Sequence, residues 1–285
     1  MRNWPETIEK LYRFLDKHQD YNKQVQENDI RRTLAGYDSV EERALRLLYE
    51  IVNTQSQPKL DAIAKFFKRI RDKPRALASY ESFSEFLGAT PGDANGLFNA
   101  LKEPKSSGWR DKTSAKEPTG NGWGDKTSAL FVRNLAVIAG NSELSQMFWP
   151  DIQAVGSQNI HLPVDAVVKA IFRHLRVSNN GPLICPKADF KTINEYLLNT
   201  LNCDRKEMLV WDDLWFWGFI TQKSKVGRDE RDYQWNEAKY WSIFTAPKAA
   251  GDIAEIELLA TGRSSERTLV QNFLTLTGHS VSTEK

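Results

Sequence analysis

The chain has 285 residues, 40% hydrophobic and 27% charged, a balance typical of folded globular proteins and not of disordered chains. No apolar run approaches the length of a membrane span and the N-terminus lacks a secretory hydrophobic region, so we expect a cytoplasmic protein with no membrane partner. Two cysteines are too few for a disulfide framework or a four-cysteine zinc site, and we expect neither metal nor cofactor. The net charge of +2 permits nucleic-acid binding without requiring it.

Apolar residues at helical spacing predict a series of helices in the first hundred residues. The first stripe, residues 8–15, follows Pro5, and Ser39 has capping-box spacing before a second helix that breaks at 53–58. The third stripe is interpreted as a buried face opposite a basic, solvated one, and its members are Leu60, Ile63, Ala64, Phe67 and Ile70. A helix over 76–87 is predicted to end at Gly88, and Asp93 is predicted to cap the next helix, through Leu101.

The polar linker at 102–121 contains a near-duplicate of the segment that follows it. Residues 108–115 read Gly-Trp-Arg-Asp-Lys-Thr-Ser-Ala, and residues 122–129 read Gly-Trp-Gly-Asp-Lys-Thr-Ser-Ala. Only the second copy leads into an apolar periodic segment, because Pro118 follows the first and cannot continue a helix. We therefore interpret 108–121 as a duplication within a loop and 122–129 as the functional copy. Lys112, in the first copy, is either a second basic contact or without a role.

The remaining chain also has helical periodicity. Residues 141–161 are predicted to be a loop or short helix, and Asp165 is a natural N-cap for a helix over 166–175. Further helices are predicted over 190–201, 208–220, 238–246 and 269–276, and no segment alternates as a strand would. The sequence thus predicts an all-α protein with two helical lobes around a cleft. We expect one domain over 1–285, with a hairpin and catalytic region at about 108–180 and a completing helical part at 181–285.

The pattern Gly122-x-Gly124-x-Lys126 at the start of a helix suits contact with a phosphate backbone. Two glycines permit a sharp turn and close approach, and the N-terminus of the following helix presents unpaired N–H groups. An ordinary turn between helices explains the same residues equally well. Asp165, which follows Lys126 by 39 residues, is by itself best explained as a helix cap.

Taken together, these motifs resemble the helix-hairpin-helix DNA glycosylase superfamily, in its lysine-bearing branch of 8-oxoguanine glycosylases and most of all the archaeal GO glycosylases. Gly122, Gly124 and Lys126 match the hairpin, Pro163-Val164-Asp165 matches a second motif, and residues 47–57 resemble an early helix with a polar end. The chain departs from the pattern in its longer interval between the motifs. The Leu-Pro that usually precedes the hairpin is replaced by Gly-Asn at 120–121, and there is no iron–sulfur cysteine set.

The resemblance implies a base-excision enzyme that flips a damaged base out of double-stranded DNA. Lys126 is the expected nucleophile at the sugar C1′ and Asp165 its electrostatic partner, with β-elimination at the abasic site. Gly122, Gly124 and Lys169 are expected to contact the DNA backbone. We also expect a monomer that is associated with the nucleoid.

Aromatic side chains are the candidates for the base pocket. Trp211, Trp215 and Phe219 follow one another at helical spacing, although a role in the core is the better explanation of that spacing. His161 and His174 have no metal-ligand partners at set spacing, so a metal site is not expected.

Three other functions remain open on the sequence. The chain is consistent with a non-catalytic helix-hairpin-helix DNA-binding protein. It is also consistent with a glycosylase for another modified base, such as one in viral DNA, and with a helical scaffold that has no DNA role.

Overall fold

The structure is a computed structural model that describes residues 4–102, 121–156, 158–178, 188–224, 231–244 and 263–279. Helices dominate these residues, which confirms the all-α prediction, and one short antiparallel ladder joins β1 (Gln222–Ser224) to β2 (Arg231–Tyr233). Within the same residues no helix is both long enough and apolar enough to cross a membrane. The α-helices are α1 (Glu6–Lys17), α2 (Gln19–Leu34), α3 (Val40–Val52), α4 (Leu60–Asp72), α5 (Tyr80–Leu87), α6 (Ala94–Leu101), α7 (Asp125–Gly140), α8 (Ser142–Gln146), α9 (Ala166–Ser178), α10 (Phe190–Glu195), α11 (Arg205–Trp211), α12 (Asp213–Ile220), α13 (Glu237–Phe244) and α14 (Arg263–Leu276).

The chain divides into two compact units. One, the hairpin unit, is Gln26–Pro163, and it contains α3 to α8. The other, the composite unit, combines Met1–Val25 with Val164–Lys285, and it contains α1 and α9 to α14. The near-duplicate octet at 108–115, with Lys112, lies outside the described residues.

Local capping fixes several helix ends in the hairpin unit as the sequence predicted. Ser39 and Glu42 exchange both hydrogen bonds of a capping box at the start of α3. The Asp93 carboxylate accepts the Gly96 N–H at 2.7 Å and begins α6. Gly88 ends α5 with φ +75°, a left-handed conformation that glycine adopts without strain.

Helix α5 begins later than the predicted residue 76. Residues Pro74–Leu77 form a separate 3₁₀ turn. Ser79 then takes an extended conformation and its hydroxyl accepts the Ser82 N–H at 3.0 Å, so α5 starts at Tyr80. The side-chain cap competes with continuation of the helix, which is why the apolar pattern alone placed the start too early.

The predicted buried face of α4 was wrong by part of a turn. Leu60 is 70% exposed and Ala64 is also exposed, whereas Ala62, Phe66 and Ile70 form the buried side. A helical period fits both stripes, since they share Ile70. Packing decides between them, because the Phe66 ring lies against Trp123 with the ring centres 5.7 Å apart.

The described residues of 141–161 include the short helix α8 and a 3₁₀ turn (Ile152–Val155), in agreement with the predicted loop or short helix, and they contribute to the core of the hairpin unit. Large apolar side chains from this segment are buried, and the Trp149 indole N–H donates to the Leu77 carbonyl at 2.8 Å. The Asp151 carboxylate accepts the N–H groups of Tyr80 and Glu81, at 2.7 and 2.9 Å, and so satisfies the first turn of α5. The segment that lengthens the interval between the two motifs is therefore a structural part of this unit.

Aromatic packing holds α1 and α14 in the core of the composite unit. The ring of Phe14 lies 5.0 Å from Trp217 and 5.8 Å from Phe273, measured between ring centres. The Asn22 amide donates to the Asp213 carboxylate at 2.7 Å in the interior, which gives the buried carboxylate a hydrogen-bonded partner.

The single helix predicted over 208–220 is divided at Asp212 into α11 and α12. The Asp212 N–H still donates to Met208, and its carbonyl accepts from Trp215 at 3.0 Å, in a turn of three residues. The tighter turn rotates the residues that follow it relative to those before it. Trp211 therefore does not share one helix face with Trp215 and Phe219, although their four-residue spacing in the sequence suggested it.

Candidate active site

The hairpin turn before α7 is set by Gly122. Its φ is +79°, and a Cβ at this position would come within 2.7 Å of the Ile63 side chain and 2.9 Å of the Ile63 backbone nitrogen. Both the backbone conformation and the contact with α4 therefore require glycine here. The close approach predicted for this residue is made to the protein itself.

Gly124 has the opposite surroundings. It is the N-cap of α7, with φ −90° and no side-chain cap, and an added Cβ would have no atom within 4 Å. The residue is exposed, and α7 begins immediately after it without a side-chain cap. This part of the turn is open to an approaching ligand.

Trp123, between the two glycines, anchors the hairpin in the core. Its side chain is 1% exposed and packs between Phe66 of α4 and Phe131 of α7, with ring centres 5.7 and 5.9 Å away. Its backbone pairs with Lys102 in an isolated parallel bridge, so the chain before the undescribed 103–120 segment lies beside the chain after it. The sequence interpretation left Trp123 without a role, although a tryptophan within a polar segment is itself a signal for burial.

Lys126 lies in the first turn of α7 beside the polar end of α3. Its Nζ donates to the Thr54 carbonyl at 3.3 Å and lies 3.4 Å from the Thr54 hydroxyl. The Gln55 amide donates to the Gly122 carbonyl at 3.2 Å. The polar residues after α3 and the lysine-bearing hairpin, which the sequence singled out separately, thus meet at one place in the hairpin unit.

A second charged group lies next to Lys126. Asp125 forms an ion pair with Lys102, whose Nζ is also 5.3 Å from the centre of the Phe98 ring. The His161 ring stacks on Phe98, with the ring centres 4.4 Å apart. Burial, together with the positive charge of Lys102 and against the negative charge of Asp125, lowers the pKa of His161, so the ring is neutral at physiological pH.

Asp165 caps α9 in the composite unit. Its Oδ1 accepts the N–H groups of Val167 and Val168, at 2.8 and 3.0 Å. The side chain is half-buried, as is Lys169 one turn later. The structural role that the sequence allowed for Asp165 is therefore present in the fold, and the catalytic role stays a prediction.

The three base-pocket candidates have different environments. Trp211 is fully buried against Trp4 and Tyr12. Trp215 and Phe219 are partly exposed and stack on each other, with ring centres 5.2 Å apart and planes 19° from parallel. Of the three candidates only this stacked pair is partly exposed, and the Lys239 Nζ lies 4.6 Å from the centre of the Phe219 ring.

The predicted site residues are divided between the two units. Gly122, Gly124 and Lys126 belong to the hairpin unit, whereas Asp165, Lys169 and the three aromatic candidates belong to the composite unit. The pairing of Lys126 with Asp165 remains a prediction from the sequence. In the described parts of the chain no three histidine, cysteine or acidic side chains are grouped as metal ligands.

Comparison with known proteins adds no relative. No protein-family model matches the chain, and neither a curated protein nor a solved structure matches it. The functional interpretation therefore depends on the residues themselves and on the resemblance of their motifs.

Proposed function

We propose that the chain is a DNA glycosylase that removes a damaged or modified base, with 8-oxoguanine as the first candidate substrate and Lys126 as nucleophile. The observation that supports the proposal most directly is the arrangement at the start of α7. There, an open glycine turn and a lysine in the first helical turn lie beside the polar end of α3. An extruded sugar could reach such a lysine while the N–H groups beside Gly124 hold a flanking phosphate.

The proposed reaction starts with the unprotonated Lys126 amine. Its lone pair forms a bond to the sugar C1′ as the N-glycosidic bond breaks, and the departing base takes up a proton. The negative charge of Asp165 stabilises the developing positive charge on the sugar. The attacking nitrogen then loses a proton, the C1′–O4′ bond breaks and O4′ takes up a proton, which opens the sugar ring and gives a Schiff base. Removal of a C2′ proton then expels the 3′ phosphate, and hydrolysis frees the lysine.

Borohydride trapping tests the nucleophile, because it reduces the Schiff base to a stable covalent adduct. We expect wild-type protein to trap on a duplex with 8-oxoguanine or an abasic site, and Lys126→Gln to abolish the adduct. Lys112→Gln is the matched control, since it makes the same change in the near-duplicate octet and should trap normally. Adducts that survive Lys126→Gln, or are lost in the control, contradict the assignment.

Asp165→Asn separates charge from capping. Asparagine caps helices about as well as aspartate, so the amide oxygen can keep accepting the Val167 and Val168 N–H groups while the negative charge is removed. We expect unchanged DNA binding and a loss of excision of about 10²–10³-fold, the usual effect of deleting one electrostatic stabiliser. Full activity would show that Asp165 acts only as a cap. A panel of duplexes with different lesions, with and without alkali treatment, identifies the base and measures strand cleavage.

A non-catalytic DNA-binding protein is the second candidate, and the hydrogen bonds of the two key side chains favour it. The Lys126 amine already donates to Thr54 and the Asp165 carboxylate already caps α9, so both have structural roles. Equal affinity for intact and damaged duplex, with no excision from any lesion in the panel, would establish this alternative. A scaffold without a DNA role would bind no duplex even at low salt.

A further inference from the structure

Positive charge is concentrated in and around α4. Residues 59–75 contain seven lysines and arginines and two aspartates, a net charge of +5, whereas the whole chain carries +2. The rest of the chain is therefore net negative, at −3. Six of the seven cationic residues are exposed, and the seventh, Lys65, is half-buried. A solvated helix face needs polar residues but not charges of predominantly one sign, so solubility alone does not account for this segregation.

The basic segment packs directly against the hairpin. Ile63 of α4 fills the space beside Gly122. The Arg69 guanidinium donates to the Asn121 side chain at 3.0 Å and lies 4.9 Å from the centre of the Phe86 ring. Asn121 is the residue before the glycine turn, and its amide in turn donates to the Ala100 carbonyl at 3.0 Å. The basic face of α4 is thereby fixed in position beside the turn that leads into α7.

We propose that the basic face of α4 is a second contact surface for the phosphate backbone of duplex DNA, continuous with the hairpin. A helix of this length extends about 20 Å, long enough to contact several phosphates of a duplex. The contact is independent of base sequence, and it steers and retains DNA while the hairpin engages the target nucleotide. The inference rests on DNA being the partner in the proposed function, but it does not require the catalytic step.

Replacement of Lys68 and Arg71 by alanine tests the surface. Both residues are exposed, Arg71 is paired with the neighbouring Asp72 at 3.0 Å, and alanine favours a helix, so the fold should be retained. The control is the double variant Lys10→Ala, Lys191→Ala, which removes the same charge from exposed i,i+4 ion pairs on α1 and α10. Fluorescence anisotropy with a short undamaged duplex, across a salt series, gives the slope of log affinity against log salt for each full-length protein.

Each lost phosphate contact should lower the magnitude of the slope by about 0.9. The α4 variant should therefore lose about 1.8, and its fall in affinity between 50 and 200 mM salt should be about 12-fold smaller than that of the wild type. The control should keep the wild-type slope. An α4 variant with the same slope as the control overturns the inference, as does binding to phosphatidylserine vesicles without binding to DNA.

Borohydride trapping, performed on the same proteins, separates this inference from the proposed function. Trapping by the wild type with an unchanged salt slope in the α4 variant would refute the α4 surface alone. The expected loss of slope without any trapping or excision would leave the α4 surface supported and refute the glycosylase. Absence of all duplex binding at low salt would refute both.

Discussion

Substitution of Gly122 by alanine should lower the free energy of unfolding of the hairpin unit far more than the same substitution at Gly124. At Gly122 the new methyl group would lie 2.7 Å from the Ile63 side chain and 2.9 Å from its backbone nitrogen. The backbone φ of +79° would cost a non-glycine residue about 1–2 kcal/mol, and overpacking typically adds about 1–3 kcal/mol. The sum is a destabilisation of about 2–5 kcal/mol.

Gly124→Ala is the matched control. The added methyl group meets nothing within 4 Å, and φ −90° is open to any residue. Alanine is a poorer N-cap than glycine, but it lowers the entropy of the unfolded chain, and the two effects nearly cancel. We expect a change in the free energy of unfolding of less than about 0.5 kcal/mol.

Thermal unfolding followed by circular dichroism, supported by hydrogen exchange of α7 amides, measures the difference. At about 2–4 °C per kcal/mol for domains of this size, Gly122→Ala should lower the midpoint by about 4–20 °C, and Gly124→Ala by no more than about 2 °C. Equal midpoints for the two variants would refute the contact between the hairpin and α4. They would also remove the structural basis for placing the basic face beside the turn.

Three further predictions address other parts of the chain. His279 stacks on His174 with the ring centres 3.6 Å apart. Burial, together with the charge of His174, lowers the pKa of His279 to about 4 in the folded chain. In the unfolded chain the same histidine takes up its proton near pH 6.5, so acid favours unfolding. The contribution of His279 to the free energy of unfolding should therefore be fully present above pH 6.5 and be lost as the pH falls to 4. The loss should be about 1–2 kcal/mol after discounting for solvent screening of the half-exposed ring. In thermal melts at pH 7 and 4.5, His279→Phe should show a smaller difference between the two pH values than the wild type. Replacing residues 104–119 by four glycine and serine residues should change the free energy of unfolding by less than about 1 kcal/mol, because the bridge between Lys102 and Trp123 holds the ends of the segment together. Borohydride trapping should be preserved. Loss of trapping would implicate Lys112. Asp165→Ala should destabilise the composite unit by about 1 kcal/mol in urea denaturation while Asp165→Asn leaves it unchanged, and equal effects would argue against the cap.

Helix ends marked by side-chain chemistry were predictable from the sequence, because the signal is local. Ser39 and Asp93 begin their helices through hydrogen bonds within four residues, and Gly88 ends one through its own backbone. Helix α2 had no comparable signal. Its sequence is polar and only weakly amphipathic, and its buried positions include Asn22, so apolar periodicity did not reveal it.

Where two apolar patterns fit a helix almost equally well, the sequence did not predict which side is buried, because tertiary contacts determine it. The buried face of α4 is selected by the packing of Phe66 on Trp123, which is more than fifty residues away in sequence. The division at Asp212 was not predictable either, since the helical pattern continues on both sides of it. In the candidate site, the contact of Lys126 with Thr54 joins two motifs whose proximity no spacing rule could establish.

The two hairpin glycines, alike in the sequence motif, differ in what the fold requires of them. Gly122 is explained completely by its left-handed backbone and by the approach of Ile63, so it provides no argument for a ligand. Gly124 has neither constraint, and serine or aspartate there would add the cap that α7 lacks. A glycine that the fold does not need leaves the start of α7 without a side-chain cap beside Lys126, and a helix N-terminus of this kind favours an anion such as phosphate. The functional interpretation of the hairpin therefore rests on Gly124 and Lys126, whereas Gly122 and Trp123 account for its rigidity.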